Sequence, residues 1–285
     1  MSSRVEGASA ASMSAGGVGQ ASPLVEVSEA VVSYRIKGKG RFIAVHGVDL
    51  EVRPGEIVGI VGESGCGKSS LARALVGINK LSGGSIKFLG EEVTPLPIRR
   101  RPAHLVPLQM VFQDPYASLN PRRRIERQLE EVWNAAARAR GDAGGGDARR
   151  TAITDVLERV GVDPELRSRY PHALSGGQRQ RIAIAKALLA EPRVIVADEP
   201  ISALDASSQK RVAELLRRLV DELQIGMVII SHDLAVVATI ADRTAVMRAG
   251  LFVEQGPTER VWTAPEHSYT RQLLGAVPAL VGRDA

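Results

Sequence analysis

An α/β fold built on a parallel sheet covered on both faces is predicted for this chain by three observations. Short apolar runs alternate with helical stretches through residues 193–248. A glycine-rich loop, "GESGCGKSS", sits between an apolar run and a helical one, and residues 25–50 alternate in the manner of antiparallel strands. Strands buried on both faces read as continuous apolar runs, and helices between them supply the cover. The predicted architecture is a parallel core with an N-terminal antiparallel β subdomain and an inserted α-helical subdomain.

The totals agree with a globular chain. With 285 residues, 44% hydrophobic and 24% charged, there is enough sequence for one large core or two smaller ones. No stretch approaches about 18 unbroken apolar residues, the length a helix needs to span a bilayer. Residues 1–23 are rich in Ser, Ala and Gly without an apolar block, so they read as a disordered tail and not as a secretory signal. A single cysteine, Cys66, leaves no internal disulfide and no cysteine-cluster metal site, and the expected compartment is the cytosol. The net charge of +5 is concentrated at Arg99-Arg100-Arg101 and Arg122-Arg123-Arg124. Such runs are either solvated faces or contacts to an anionic partner. No zinc-finger spacing, aromatic ribonucleoprotein motif or heptad accompanies them, so nucleic acid is not the expected partner.

Taken in order, "VEVSEAVVSYRI", the turn "KGKG" and "RFIAVHGVDLEVRPGE" give the antiparallel region. "EIVGIV" (56–61) is a buried strand, followed by the Gly-rich loop, the helix "SSLARALVGI" and the strand "GSIKFLG". A Pro/Arg-rich stretch, 94–107, leads to the strand "LQMVF" and then Gln113. Residues 114–173 are helical by composition, with runs "RIERQLEEVWNAAARAR" and "RTAITDVLERVGV". Between them "GDAGGGDA" is expected to interrupt helix. Strands "RVIVADEP", "MVIISHD" and "TAVMRAG" then alternate with helices "KRVAELLRRLVDEL" and "LAVVATIADR", ahead of a C-terminal extension, 251–285. Each motif occurs once, so there is no internal duplication.

The loop Gly62-x4-Gly67-Lys68-Ser69 is a complete P-loop in its required context, a strand before and a helix after. Its residues Gly62, Glu63, Ser64, Gly65, Cys66, Gly67, Lys68, Ser69 and Ser70 are the candidate nucleotide-binding set for ATP or GTP. Glycines let backbone amides wrap phosphates, Lys68 neutralises them, and the Ser69 hydroxyl suits Mg2+. Cys66 reads either as a small filler or as a reactive thiol at a helix start. "RVIVADEP" ends in two carboxylates where such sheets bind ligands. Because adjacent strand residues point opposite ways, Asp198 is expected to face the metal and Glu199 a water, as general base. Gln113 and His232 end two other strands and are expected to converge on the same edge. Water is the expected nucleophile. A second glycine-led helix start, Ser175-Gly176-Gly177-Gln178, raises the question of why one chain would hold two anion cradles.

In sequence order, the P-loop, "VFQDP", "LSGGQRQR", "VIVADEP", "SALD" and "SHD" resemble an ABC-transporter ATP-binding subunit, over all the chain beyond the tail. The resemblance implies a RecA-like P-loop NTPase core spanning 24–285, with its helical subdomain near 114–173. It also implies two such domains paired head to tail, each ATP lying between one P-loop and the partner's Ser175, Gly176, Gly177 and Gln178. Two cradles then serve two nucleotides. Carried over by position, Ser69, Gln113 and Asp198 attend Mg2+, Glu199 polarises the attacking water, and His232 contacts the γ-phosphate. Residues 202–205 couple the two sites, and Tyr34 is either the aromatic that stacks on adenine or a core residue. Ile201 departs from the Thr common in relatives but removes no catalytic group.

"FQDPYASLNPR" and "PEHSYTRQLLGAVP" are similar to the oligopeptide, dipeptide and nickel uptake branch. Relatives there often run on into a cysteine-bearing tail, which this sequence lacks at Ala285, so peptide, nickel and other small solutes stay open. The implied role is the ATPase of an importer at the cytoplasmic face of the cell membrane. Its implied partners are two permease subunits, a second ATP-binding subunit of the same or a homologous chain, and indirectly an extracytoplasmic solute-binding protein. The alternative is a soluble ABC ATPase acting on ribosomes or nucleic acid. Such proteins usually carry two ATPase units or a long coiled-coil insertion, neither of which is present here.

Overall fold

A computed structural model of the chain describes residues 22–38, 40–97, 101–114, 118–142, 145–202 and 204–276. The predicted tail therefore lies outside the described residues up to position 21, as do Arg99, Arg100 and Ala203.

Two sheets form. The first is antiparallel: β1 (Val25–Ile36) pairs with β2 (Gly40–Val52) and, on its other edge, with β4 (Gly83–Phe88), which carries the short β5 (Glu91–Glu92). The second has the order β10-β9-β3-β8-β7-β6, from β3 (Ile57–Val61), β6 (Leu108–Val111), β7 (Val194–Asp198), β8 (Gly226–Ile230), β9 (Arg243–Arg248) and β10 (Leu251–Pro257). Strands β6, β7, β8, β3 and β9 run parallel, as predicted; β10 is antiparallel to β9 and closes one edge. That edge strand, inside the C-terminal extension, was not predicted. Its partly exposed residues lack the continuous apolar run of a buried strand.

Every residue of β3, β7 and β8 is buried, and the period of two divides their side chains between two cores. Ile195, Ala197, Met227 and Ile229 face the helices α2 (Ile125–Arg140), α3 (Gly146–Arg159), α4 (Gly176–Leu188) and α5 (Ala206–Leu223), meeting Leu129, Leu157, Ile184 and Leu216. Val194, Val196, Val228 and Ile230 face the other way, onto α1 (Lys68–Leu75) and the antiparallel sheet, meeting Leu71, Leu75, Val45 and Ile86. A third cluster joins Val61 and Val246 to α6 (Leu234–Ile240), α7 (Thr258–Thr263) and α8 (Ser268–Gly275).

The helical insertion is observed, with one correction. The run "GDAGGGDA" ends α2 at Gly141 (φ 75°), but α3 begins inside the run, at Gly146. Glycine weakens helix interiors, yet at a helix start it is tolerated, and the buried Ile153, Val156 and Leu157 anchor the turns that follow. Ile201 is buried (1% exposed) in the helical core, which accounts for an apolar residue at that position. Among the described residues no helix is long and apolar enough to cross a membrane.

Candidate functional site

The glycine-rich loop connects β3 to α1 beneath two backbone segments. A Cβ on Gly62 (φ 152°) would lie 2.1 Å from the Met247 carbonyl oxygen, and one on Gly67 (φ 115°) 2.3 Å from that of Ala44. Only glycine fits either place. Glu63, Ser64 and Gly65 are exposed at the crest of the loop, and Ser69 and Ser70 are half-buried in the first turn of α1. That turn begins at Lys68, so its leading N–H groups have no acceptor within the helix and present the positive end of its dipole.

Lys68 is buried, 4% exposed, with its Nζ donating to the carbonyls of Gly62 (2.6 Å) and Glu63 (2.8 Å). Cys66 packs in the core with 8% of its surface exposed, its Sγ 3.7 Å from the same Nζ, which fits the filler reading and not the accessible thiol. The Ser69 hydroxyl donates to Asp198 Oδ1 at 2.9 Å. Asp198 is 3% exposed; burial raises its pKa above the ordinary carboxylate value, opposed by the Ser69 hydrogen bond and by the charge of Arg73.

Glu199 is not the last residue of β7. It has φ +47°, in the left-handed region, so the alternation expected of Asp198 and Glu199 does not operate. The turn is held by its own backbone: the Glu199 N–H donates to Ile230 O at 2.9 Å, and the Ser202 hydroxyl donates to Glu199 O at 3.1 Å. The side chain consequently reaches both strand-end residues singled out in sequence. Gln113 Nε2 donates to Glu199 Oε2 at 2.7 Å, and His232 Nδ1 lies 3.2 Å from the same oxygen. His232 is aimed by its neighbours, since the Ser231 hydroxyl accepts from Asp233 N (2.9 Å) and Asp233 caps α6. Gln113 thus meets Glu199, while Ser69 and Asp198 meet each other.

Tyr34 is 37% exposed on β1, so it is not a core residue. Its hydroxyl donates to Ser70 Oγ (2.9 Å) and accepts from Asn79 Nδ2 (2.8 Å), which ties the ring to the start of α1. Asn79 lacked any motif to announce it.

The second cradle is a capping box. Ser175 Oγ accepts from Gln178 N (3.2 Å) and Gln178 Oε1 from Ser175 N (2.9 Å), at the start of α4. The Gln178 side chain and the Ser175 amide are therefore occupied with each other. Gly176 and Gly177 carry the first helical N–H groups, which have no acceptor inside the helix. Downstream, Asp205 caps α5 by accepting from Ser208 N, and its hydrogen bonds to Ser207 and Ser208 hold its carboxyl well below the usual range.

One residue absent from the sequence-predicted set reaches the loop. Tyr269, on the first turn of α8, accepts from the Glu63 N–H at 3.2 Å across 206 residues of sequence. The segment "PEHSYTRQLL" was legible as a family resemblance, but no local signal tied its tyrosine to the P-loop.

Comparison with known proteins places this arrangement among relatives. The family model for ABC transporters matches residues 45–202. The chain is 45% identical over 247 residues to the di/tripeptide transport ATP-binding protein DppF of Pseudomonas aeruginosa, covering 86% of this chain and 74% of that one. It is 43% identical over 265 residues to the oligopeptide transport ATP-binding protein OppF of Escherichia coli, covering 90% and 78%. Among solved structures, a dimeric ATP-binding cassette in a post-hydrolysis state, bound to ADP and Pi, superposes with a TM-score of 0.72 at 27% identity. It spans 82% of this chain and 98% of the other.

Proposed function

Because this chain belongs to the ABC transporter ATP-binding family, we propose that it is the ATP-hydrolysing subunit of a peptide importer, working with separate membrane permeases and a second ATP-binding subunit. Transport names on the relatives, with peptides as cargo, favour this reading over a soluble ATPase acting on ribosomes. On this reading 24–285 form one ATP-binding unit, with 114–173 its helical subdomain and 251–285 its extension, at the cytoplasmic face of the membrane.

The observation that carries the mechanism is the grip on Glu199, whose Oε2 is taken by both Gln113 and His232. Oε1 is thereby oriented to accept from a water, and Glu199 acts as the base that aligns it for attack on the γ-phosphate. Lys68 exchanges its carbonyl partners for phosphate oxygens, and the amides from Gly65 to Ser69 wrap the phosphate chain. Tyr34 lies against the adenine.

The residues present fit Mg2+. Ser69 and Asp198 offer two adjacent oxygens of the kind that ion prefers, and Asp198 is a buried carboxylate in need of a cation. When bound, Mg2+ supplies charge neutralisation across the β- and γ-phosphates.

A cavity of about 820 Å³ between β6 and helices α2 and α4 is lined by Gln109, Leu119, Gln128, Val132 and Lys186. Part of its lining is β6, the strand that leads to Gln113, and we propose the permease contact there. Copurification from solubilised membranes with a tagged chain tests the assignment. Permeases and a peptide-binding protein are the expected partners; ribosomal subunits in their place would overturn it.

A further inference from the structure

The P-loop is held from outside by the last third of the chain, at one peptide in particular. The Gly62–Glu63 peptide is fixed at both ends: its N–H donates to Tyr269 Oη (3.2 Å), and its carbonyl accepts from Lys68 Nζ (2.6 Å). Rotation of that peptide would break both bonds together. One turn away, the Gly250 N–H, at the β9–β10 turn, donates to Cys66 O (2.8 Å), while Gly250 O accepts from His46 N (2.9 Å).

Tyr269 is itself set in place by several independent contacts. Its ring is 2% exposed, packs with Val61, Val237, Val246 and Val261, and lies under the Arg248 guanidinium at 4.8 Å. The Glu254 carboxylate, on β10, accepts from Glu266 N (2.8 Å) and His267 N (3.0 Å), fixing the entry to α8. His267 Nδ1 then caps the helix by accepting from Tyr269 N at 3.1 Å. A buried aromatic needs no hydroxyl to fill this space. The hydroxyl's contact is with the phosphate loop.

We propose that Tyr269 is a positioning residue for nucleotide binding, its hydroxyl locking the Gly62–Glu63 peptide at the entry to the phosphate loop. A loop ordered before ATP arrives does not lose that freedom on binding, so its affinity is higher. The Glu63 amide is satisfied by Tyr269 and lies outside the run from Gly65 to Ser69, so the lock takes no amide assigned above to phosphate. Turnover at saturating ATP draws on Glu199, Gln113 and His232, none of which Tyr269 touches. The inference rests on the P-loop being the ATP site.

Tyr269→Phe keeps the ring, its packing and the Arg248 contact while removing the hydroxyl. The net worth of one hydrogen bond corresponds to an affinity for MgATP lowered about two- to tenfold, with KM raised in step. The expected kcat at saturating ATP stays within about twofold of wild type. Unchanged affinity with a lowered melting temperature would show a packing role only and overturn the proposal. Hydrogen exchange on the wild-type protein gives a check free of any variant: the Glu63 amide is expected to be protected without nucleotide, and fast exchange there would overturn the lock. ATP affinity that survives Lys68→Ala unchanged would instead overturn the P-loop reading beneath it.

Discussion

Glu199 holds a left-handed conformation, φ +47°, that a non-glycine residue adopts at some energetic cost. The Ile230 and Ser202 contacts maintain it, and its result is a carboxylate facing Gln113 and His232. Glu199→Gln preserves shape but removes the proposed base. Turnover is expected to fall about 10²- to 10⁴-fold with MgATP binding retained, as read by steady-state hydrolysis beside calorimetric titration. Turnover within a few-fold of wild type would show that Glu199 is not the base. Asp198 makes a second prediction, on stability. Its carboxyl, raised by burial above the unfolded value, favours the fold when protonated. That contribution is complete below the unfolded pKa and is lost as pH rises through the folded one. At pH 7, above the unfolded value, the buried group therefore opposes folding. Asp198→Asn should raise the melting temperature of nucleotide-free protein at pH 7, with a smaller gain at pH 4, while Mg2+-dependent hydrolysis is lost. A lower melting temperature at pH 7 would mean that Ser69 and Arg73 already outweigh the burial.

At the scale of elements, the strand–loop–helix of the P-loop was legible because glycine and lysine at fixed spacing leave few alternatives. The parallel strands were legible because burial on both faces leaves an uninterrupted apolar run. What escaped was set by contacts distant in sequence. β10 joins the sheet on β9 through backbone hydrogen bonds, which demand little of its side chains. Tyr269 meets Glu63 across 206 residues, and Asn79 meets Tyr34 across 45. Strand alternation failed for Glu199 because the chain leaves the β region after Asp198. Helix starts are more local: the one at Ser175 was legible from its glycines, and Ser175 caps α4 in a reciprocal box with Gln178. Ser175→Ala is expected to cost about 1 kcal/mol of stability by denaturant titration, the usual worth of such a cap. A loss below ~0.3 kcal/mol would show that packing of Ile182, Ile184 and Ala185 fixes this helix without its cap.

Across the whole molecule, one central sheet divides two cores and carries the groups proposed for phosphate, metal and water at the carboxyl ends of β3, β7 and β8. The Ser175 cradle belongs to another part of the fold. Its side-chain hydrogen bonds close on its own helix start, leaving the Gly176 and Gly177 amides to an anion from elsewhere. We propose that this anion is the nucleotide held by a second subunit's P-loop. Ser175→Arg tests it most directly, with MgATP binding to the isolated chain measured beside hydrolysis by the assembled transporter. Unchanged binding with hydrolysis abolished is the predicted result. An equal loss of binding by the isolated chain would contradict it, because both cradles would then be acting on one nucleotide.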